Sequence, residues 1–189
     1  MLITIPLSPD LILNQDVIDS IMQQTIKINR KDIIEIRGGV NGQNLCEGSN
    51  WKKIQNICIS RNLCLDRLSD QDFGAIVDND CLMLEKDSFE KGIDLLMSDR
   101  ETVAVAMKNY FEPNPNFLEG EHISMGCVIL PYSFHRLNIR FRYDENLIQN
   151  GCECGNFCRD IRAHGKRIRH LDNIKRIENT HKHQWREAA

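Results

Sequence analysis

The stretch FGAIVDND, Phe73 to Asp80, runs five mostly apolar residues straight into two carboxylates spaced i, i+2. Asp78 and Asp80 so close together repel unless a cation or protons neutralise them. Hard oxygen donors suit Mg²⁺ or Mn²⁺, which bind through one or two carboxylates plus substrate phosphates. The letters carry little by themselves: with 15 Asp in 189 residues, about one Asp-x-Asp arises by chance. A second, Asp70-Gln71-Asp72, precedes the apolar run and reads as a surface turn. Placement distinguishes the two, because open parallel α/β sheets bind ligands beyond the carboxyl ends of their strands. A solvated turn is the other reading of Asp78 and Asp80.

Two further groups carry chemistry. Cys152, Glu153, Cys154, Cys158 and His164 offer a zinc-type set, but C-x-C-x3-C-x5-H lacks the paired C-x2-C knuckles of zinc modules. Buried thiols are the alternative. Lys166, Arg167 and Arg169 could face an anionic acceptor or RNA. Aromatics make up only 6% of the chain and none is interleaved with these charges, which argues against a base-stacking surface and makes nucleic acid an unlikely partner.

The elements that would position these groups alternate. Leu2–Leu7 reads as an apolar strand ended by Pro6 and a Ser8-Pro9-Asp10 turn. A helix follows over 15–24, with Val17, Ile18, Ile21 and Met22 on one face and Asn14 as N-cap. Residues 32–37 (DIIEIR) form a second strand closed by Gly38-Gly39, and a helix spans 51–65. Phe73–Val77 is a strand, 88–97 a helix and 102–107 a strand. After a Pro/Asn loop at 112–116 come an apolar strand at 123–130 and a helix at 155–164 ended by Gly165 as C′ residue. Two short strands, 167–171 and 174–177, precede a polar tail. This alternation predicts an α/β fold, a largely parallel central sheet with helices on both faces, in one domain.

The bulk numbers agree. A length of 189 residues and 41% hydrophobic content fit a single globular domain. A net charge of −3 gives no global pull toward nucleic acid or an anionic membrane. Between Arg159 and Arg186, however, nine Lys/Arg stand against three Asp/Glu, either a solvated face or an anion-facing surface. MLITIPL lacks a positive n-region, and no apolar run approaches the ~18 residues of a membrane span, so a cytoplasmic protein is expected. The eight cysteines sit mostly in apolar segments, where a thiol behaves as a small hydrophobe.

Taken in order, ITIPL, SIMQQT, ISRN at Ile59–Asn62, AIVDND, SMGCVIL at Ser124–Leu130 and YDENLIQNGCECGNFCRDIRAHGKRI at Tyr143–Ile168 resemble the GT-A fold glycosyltransferases. The nearest likeness is to inverting, family-2-like nucleotide-diphospho-sugar transferases, of which this would be a compact member. The likeness runs piecewise from about residue 2 to residue 178. It implies a nucleotide-sugar and metal half over about 1–110, an acceptor half over about 111–178, and a polar tail over 179–189. It also implies transfer of a sugar, with Mn²⁺ or Mg²⁺, from a nucleotide-diphosphate donor to a glycan, protein or lipid acceptor.

Residue by residue, Asp80 would contact the metal bridging the diphosphate, and Asp78 the ribose or the metal. Pro6, Arg37, Arg61 and Asp78 are the candidates for nucleotide-sugar contact. Glu153 is the candidate general base, with Glu145 and Asp144 as fallbacks, because displacement with inversion needs a group to take the acceptor hydroxyl's proton. His181 is the C-terminal metal-ligand candidate. The chain departs from the family pattern in three places. Cys154 stands where the base Asp is expected, Asn156 replaces a later Asp, and Arg37-Gly38-Gly39 offers no uridine-contacting Asp. A sugar nucleotidyltransferase is the alternative within the fold. It would carry a Gly-rich, Lys-containing loop after the first strand, which is not seen here.

Overall fold

The computed structural model describes residues 1–7, 12–37, 50–109, 126–142 and 153–176. Among them a seven-stranded sheet is built from β1 (Leu2–Leu7), β2 (Ile33–Arg37), β3 (Phe73–Val77), β4 (Cys81–Met83), β5 (Thr102–Asn109), β6 (Cys127–Pro131) and β7 (Arg167–Arg176), in the order β2-β1-β3-β6-β5-β7-β4. β1 pairs in parallel with β2 and β3, and β5 with β7. β6 runs antiparallel to both β3 and β5, and β4 antiparallel to β7. Five strands therefore share one direction and two oppose it. The expected α/β fold holds, with a mixed sheet whose majority is parallel. Inserting β6 between β3 and β5 was not visible in the alternation of strands and helices.

Each strand sends successive side chains to opposite faces, and the two sets meet different helices. Odd positions of β1, β3 and β6 (Ile3, Ile5, Ala75, Val77, Cys127, Ile129) pack with α1 (Gln15–Met22) and α3 (Ser88–Ser98) through Val17, Ile18, Ile21, Phe89 and Leu96. Even positions (Ile76, Val128, Leu130, with Ala104 and Ala106 of β5) pack with α2 (Asn50–Leu68) and α4 (Glu153–Ala163) through Cys58, Leu65, Leu68, Phe157 and Ile161. Helices thus cover both faces, and a fully buried Ile or Phe from either set contributes about 1.5–3 kcal/mol.

Local signals account for most boundaries. Asn14 caps α1, its Oδ1 accepting from the Asp16 amide at 3.0 Å. α4 ends where Gly165 takes φ +68°. There the Lys166 amide reaches back to the Ile161 carbonyl at 3.2 Å and the Gly165 amide to Arg162 at 2.9 Å, a Schellman closure. The two short strands expected after it are one strand, β7, whose pairing with β5 shifts register between Met107 and Asn109. α2 extends to Leu68 and α4 begins at Glu153, both beyond the sequence estimate; the strand expected at 123–130 is β6, with residues 123–125 outside the described residues. The three-residue β4 and a 3₁₀ segment at Tyr132–Leu137 are too short to leave a periodic signal.

Candidate active site

β3 ends at Val77, and the chain turns at once: the Cys81 amide donates to the Asp78 carbonyl at 3.1 Å. The Asp78 amide donates to the Gly126 carbonyl at 2.8 Å, which ties the turn to the start of β6. Asn79, between the two acids, accepts from the Asn14 amide at 2.8 Å and donates to the Ile12 carbonyl at 3.0 Å. The turn is thereby fixed against the entry to α1. Asp78 and Asp80 lie half-buried at the carboxyl end of β3, where the sequence places them. Asp70 and Asp72, at the opposite end of the strand, are exposed.

Cys81 joins the acids. Its thiol donates to Asp80 Oδ1 at 3.4 Å, and the ligand atoms of Asp78, Asp80 and Cys81 all lie within 4.8 Å of one another. Two carboxylates so placed fit a hard divalent cation. The soft thiol fits better as a donor holding Asp80 than as a ligand to Mg²⁺ or Mn²⁺. Sequence reasoning passed over Cys81, although it stands beside the second acid.

Behind the turn lies a buried ion network. Arg61 is only 6% exposed. One terminal nitrogen, Nη1, donates to Glu153 Oε1 at 2.5 Å, and the other, Nη2, to both oxygens of Asp78 at 3.1 and 3.2 Å. Burial pulls the guanidinium toward neutrality, but the Asp78 and Glu153 carboxylates more than offset this and hold it charged. Arg61 is therefore no helix-surface arginine. It lies on the inward stripe of α2 with Cys58, Leu65 and Leu68, spaced i−3, i+4 and i+7. Glu153 likewise heads the inward stripe of α4, ahead of Phe157 and Ile161. Opposite charges on two otherwise apolar stripes are the one hint of this contact that the sequence carried.

Aromatic packing backs the network. Phe141 lies 5.7 Å from the Arg61 guanidinium and stacks on Phe157 at 4.2 Å with 3° between the rings. Asn62, next to Arg61, clamps the Phe141 backbone from both sides, accepting from its amide at 2.8 Å and donating to its carbonyl at 2.9 Å. Asn156, which stands where the family pattern has an acid, is fully buried and donates to the Arg142 carbonyl at 3.1 Å. Its place is structural.

The remaining candidates are placed differently. Pro6 is half-buried on β1 opposite Ile36, beyond the last β1–β3 pair at Thr4–Ile76, so its missing N–H takes no bond from β3. Arg37 ends the edge strand β2, pairs with Glu35 at 3.2 Å and lines an outer groove of about 450 Å³ with Leu63, Asp66 and Arg67. It lies two strands from β3 and outside the Arg61 network. Asp144, Glu145, Cys152 and His181 fall outside the described residues. Cys154 and Cys158 are buried in the α2/α4 core, whereas His164 is exposed with Nδ1 2.9 Å from the Asp160 carbonyl. The structure does not bring these three together as ligands. Buried thiols, the bland alternative, describe Cys154 and Cys158.

The fold is GT-A-like, as its likeness to solved structures shows. Among solved structures, the chain is similar to a mannosyltransferase from Pyrobaculum calidifontis, determined in complex with GDP-Man and Mn²⁺, with TM-score 0.61 and 11% identity over 97% of this chain and 57% of that one. It is similar to S. aureus TarS 1–349 in complex with UDP-GlcNAc, with TM-score 0.57 and 12% identity over 96% and 60%. A197 from STIV also matches, with TM-score 0.56 and 15% identity over 95% and 87%. The chain thus spans under two thirds of the mannosyltransferase and of TarS. No family model and no curated protein matches it in sequence. Among the described residues no helix is long and apolar enough to cross a membrane.

Proposed function

We propose that the chain is a glycosyltransferase that moves a sugar from a nucleotide-diphosphate donor to a hydroxyl of a glycan, protein or lipid acceptor, with inversion at the anomeric carbon. One observation carries this reading: at the carboxyl edge of a GT-A-like sheet a single buried guanidinium pairs with Asp78 and Glu153, and Asp80 lies within 4.8 Å of Asp78. The fold's relatives solved with GDP-Man and Mn²⁺ and with UDP-GlcNAc support the choice of ligand class.

Asp80 and Asp78 would hold Mn²⁺ or Mg²⁺, and the cation's contribution is to neutralise charge on the departing diphosphate. Asp78, already held by Arg61, is the carboxylate that also suits a ribose hydroxyl. Glu153 spends Oε1 on Arg61, and among the described residues Oε2 has no hydrogen-bond partner. Oε2 is the atom assigned to the base. As the acceptor oxygen bonds to the anomeric carbon, the carbon–oxygen bond to the diphosphate breaks and its electron pair leaves with the diphosphate. The acceptor's proton passes to Oε2. Pro6 and Arg37 remain the proposed nucleotide contacts at the ends of β1 and β2.

The reading is tested by incubating the protein with GDP- and UDP-sugars and Mn²⁺ and following release of free GDP or UDP. Release that stops on chelation is the expected result. Absence of release from every nucleotide sugar, with water and with a range of acceptors, would remove the transferase assignment.

A further inference from the structure

Resting on that reading, we propose that Arg61 is a positioning residue: it braces Asp78 on the donor side to Glu153 on the acceptor side, and sugar transfer rather than donor binding depends on it. The two partners lie 17 and 92 positions away in sequence, on β3's turn and on α4. The fork of the guanidinium supplies one terminal nitrogen to each, two donors held apart in a rigid plane where an ammonium offers a single point of charge.

The surroundings suit a fixed brace better than a ligand-gripping arm. Both terminal nitrogens are already engaged, and Nε is buried without a hydrogen-bond partner. A reach toward a diphosphate would break one ion pair or both. The Phe141 ring beneath the guanidinium is itself pinned, by stacking on Phe157 and by the two-point clamp from Asn62. Arg61 thus has fixed neighbours on three sides: the turn after β3, the first turn of α4 and the Phe141 ring. Glu153 aimed through Oε1 leaves Oε2 with a defined direction, which is what a base needs when a misplacement of about 1 Å costs on the order of 10²-fold in rate.

The test compares Arg61→Met and Arg61→Lys with wild type in three readouts. These are calorimetric Kd for GDP and UDP with Mn²⁺, kcat for nucleotide release from the corresponding sugars, and the melting temperature. The brace predicts that Arg61→Met lowers kcat by about 10²-fold while Kd stays within about threefold. Arg61→Lys, which keeps the charge and loses the fork, should recover part of that loss at unchanged Kd. If Arg61→Met does not fold, Arg61→Lys decides: a kcat reduced by about tenfold at wild-type Kd upholds the brace. A kcat equal to wild type, or Kd weakened in step with kcat, overturns it, the latter marking Arg61 as a direct donor contact. Wild type that neither binds nor turns over any nucleotide sugar defeats the transferase reading and the brace with it. Normal wild-type turnover with an unaffected Arg61→Met defeats the brace alone.

Discussion

The face of the sheet under α1 and α3 and the face under α2 and α4 are built from alternate residues of the same strands, yet they bury different things. The first is filled by Ile3, Ile5, Val17, Ile18, Ile21, Phe89 and Leu96. Its buried polar side chains are neutral and satisfied locally: Gln24 bonds the Glu85 carbonyl and the Phe89 amide, and Ser88 the Glu85 carbonyl. The second face buries Arg61 and Glu153 beside Asp78 and surrounds them with thiols and stacked phenylalanines. Hydrocarbon on one side gives stability without chemistry. On the other side a charge network, expensive to desolvate and strongly destabilising if half of it is removed, is retained next to the carboxylate turn. Burial of that kind is weak evidence for stability and fits a site that must be held in one geometry.

Substitutions on the two faces should therefore separate. The largest effect expected is Glu153→Gln, which removes the assigned base but keeps the side chain's shape: kcat for transfer should fall by about 10²–10⁴-fold, with the fold retained by circular dichroism. Comparable kcat in the variant would return Glu153 to a purely structural role at the head of α4. On the opposite face, Phe89→Ala should cost about 3–5 kcal/mol of unfolding free energy, read by urea denaturation, and leave nucleotide affinity of the folded protein unchanged. A strong effect of Phe89→Ala on affinity would erase the division between the faces.

Asn62→Ala sharpens the same contrast from within the charged face. It deletes both hydrogen bonds to the Phe141 backbone, with an expected loss of about 1–3 kcal/mol, measured by the same denaturation. The smallest effect is one of pH. Burial pushes the Cys58 and Cys64 thiols up to about 12 from their ordinary 9.0, and burial raises Cys127 as well. Because the folded values are raised, the unfolded chain loses these protons first. Stability is then full below pH 9 and declines as pH rises from about 9 toward 12. Urea midpoints taken across that range should fall, and the thiols should resist alkylation until the protein unfolds. Midpoints that hold steady would show these thiols to be less buried than described.

Much of this was legible in the sequence because it was periodic. β1 and β3 fall on their expected residues, α1 has its Asn14 cap, and Gly165 closes α4. What was not legible depends on partners distant in sequence. β6 slots between β3 and β5 through pairings such as Ala75–Ile129 and Val105–Ile129, which leave no mark on local hydrophobic spacing. The site shows the same division. Asp78 and Asp80 could be placed because a strand ends immediately before them. The resemblance singled out Arg61 and Glu153 separately, but their contact is a tertiary fact, hinted at only by opposite charges on two otherwise apolar stripes. Asn79 and Asn62 look like loop and surface residues in sequence and prove to be clamps.

The central claim is that Asp78 and Asp80 form the cation-dependent donor site, and calorimetric titration of GDP and then UDP, with and without Mn²⁺, against wild type and Asp80→Ala tests it most directly. Binding of one nucleotide that requires Mn²⁺ and disappears in Asp80→Ala is the predicted result. Nucleotide binding absent under every condition, or equally strong in Asp80→Ala, would contradict it.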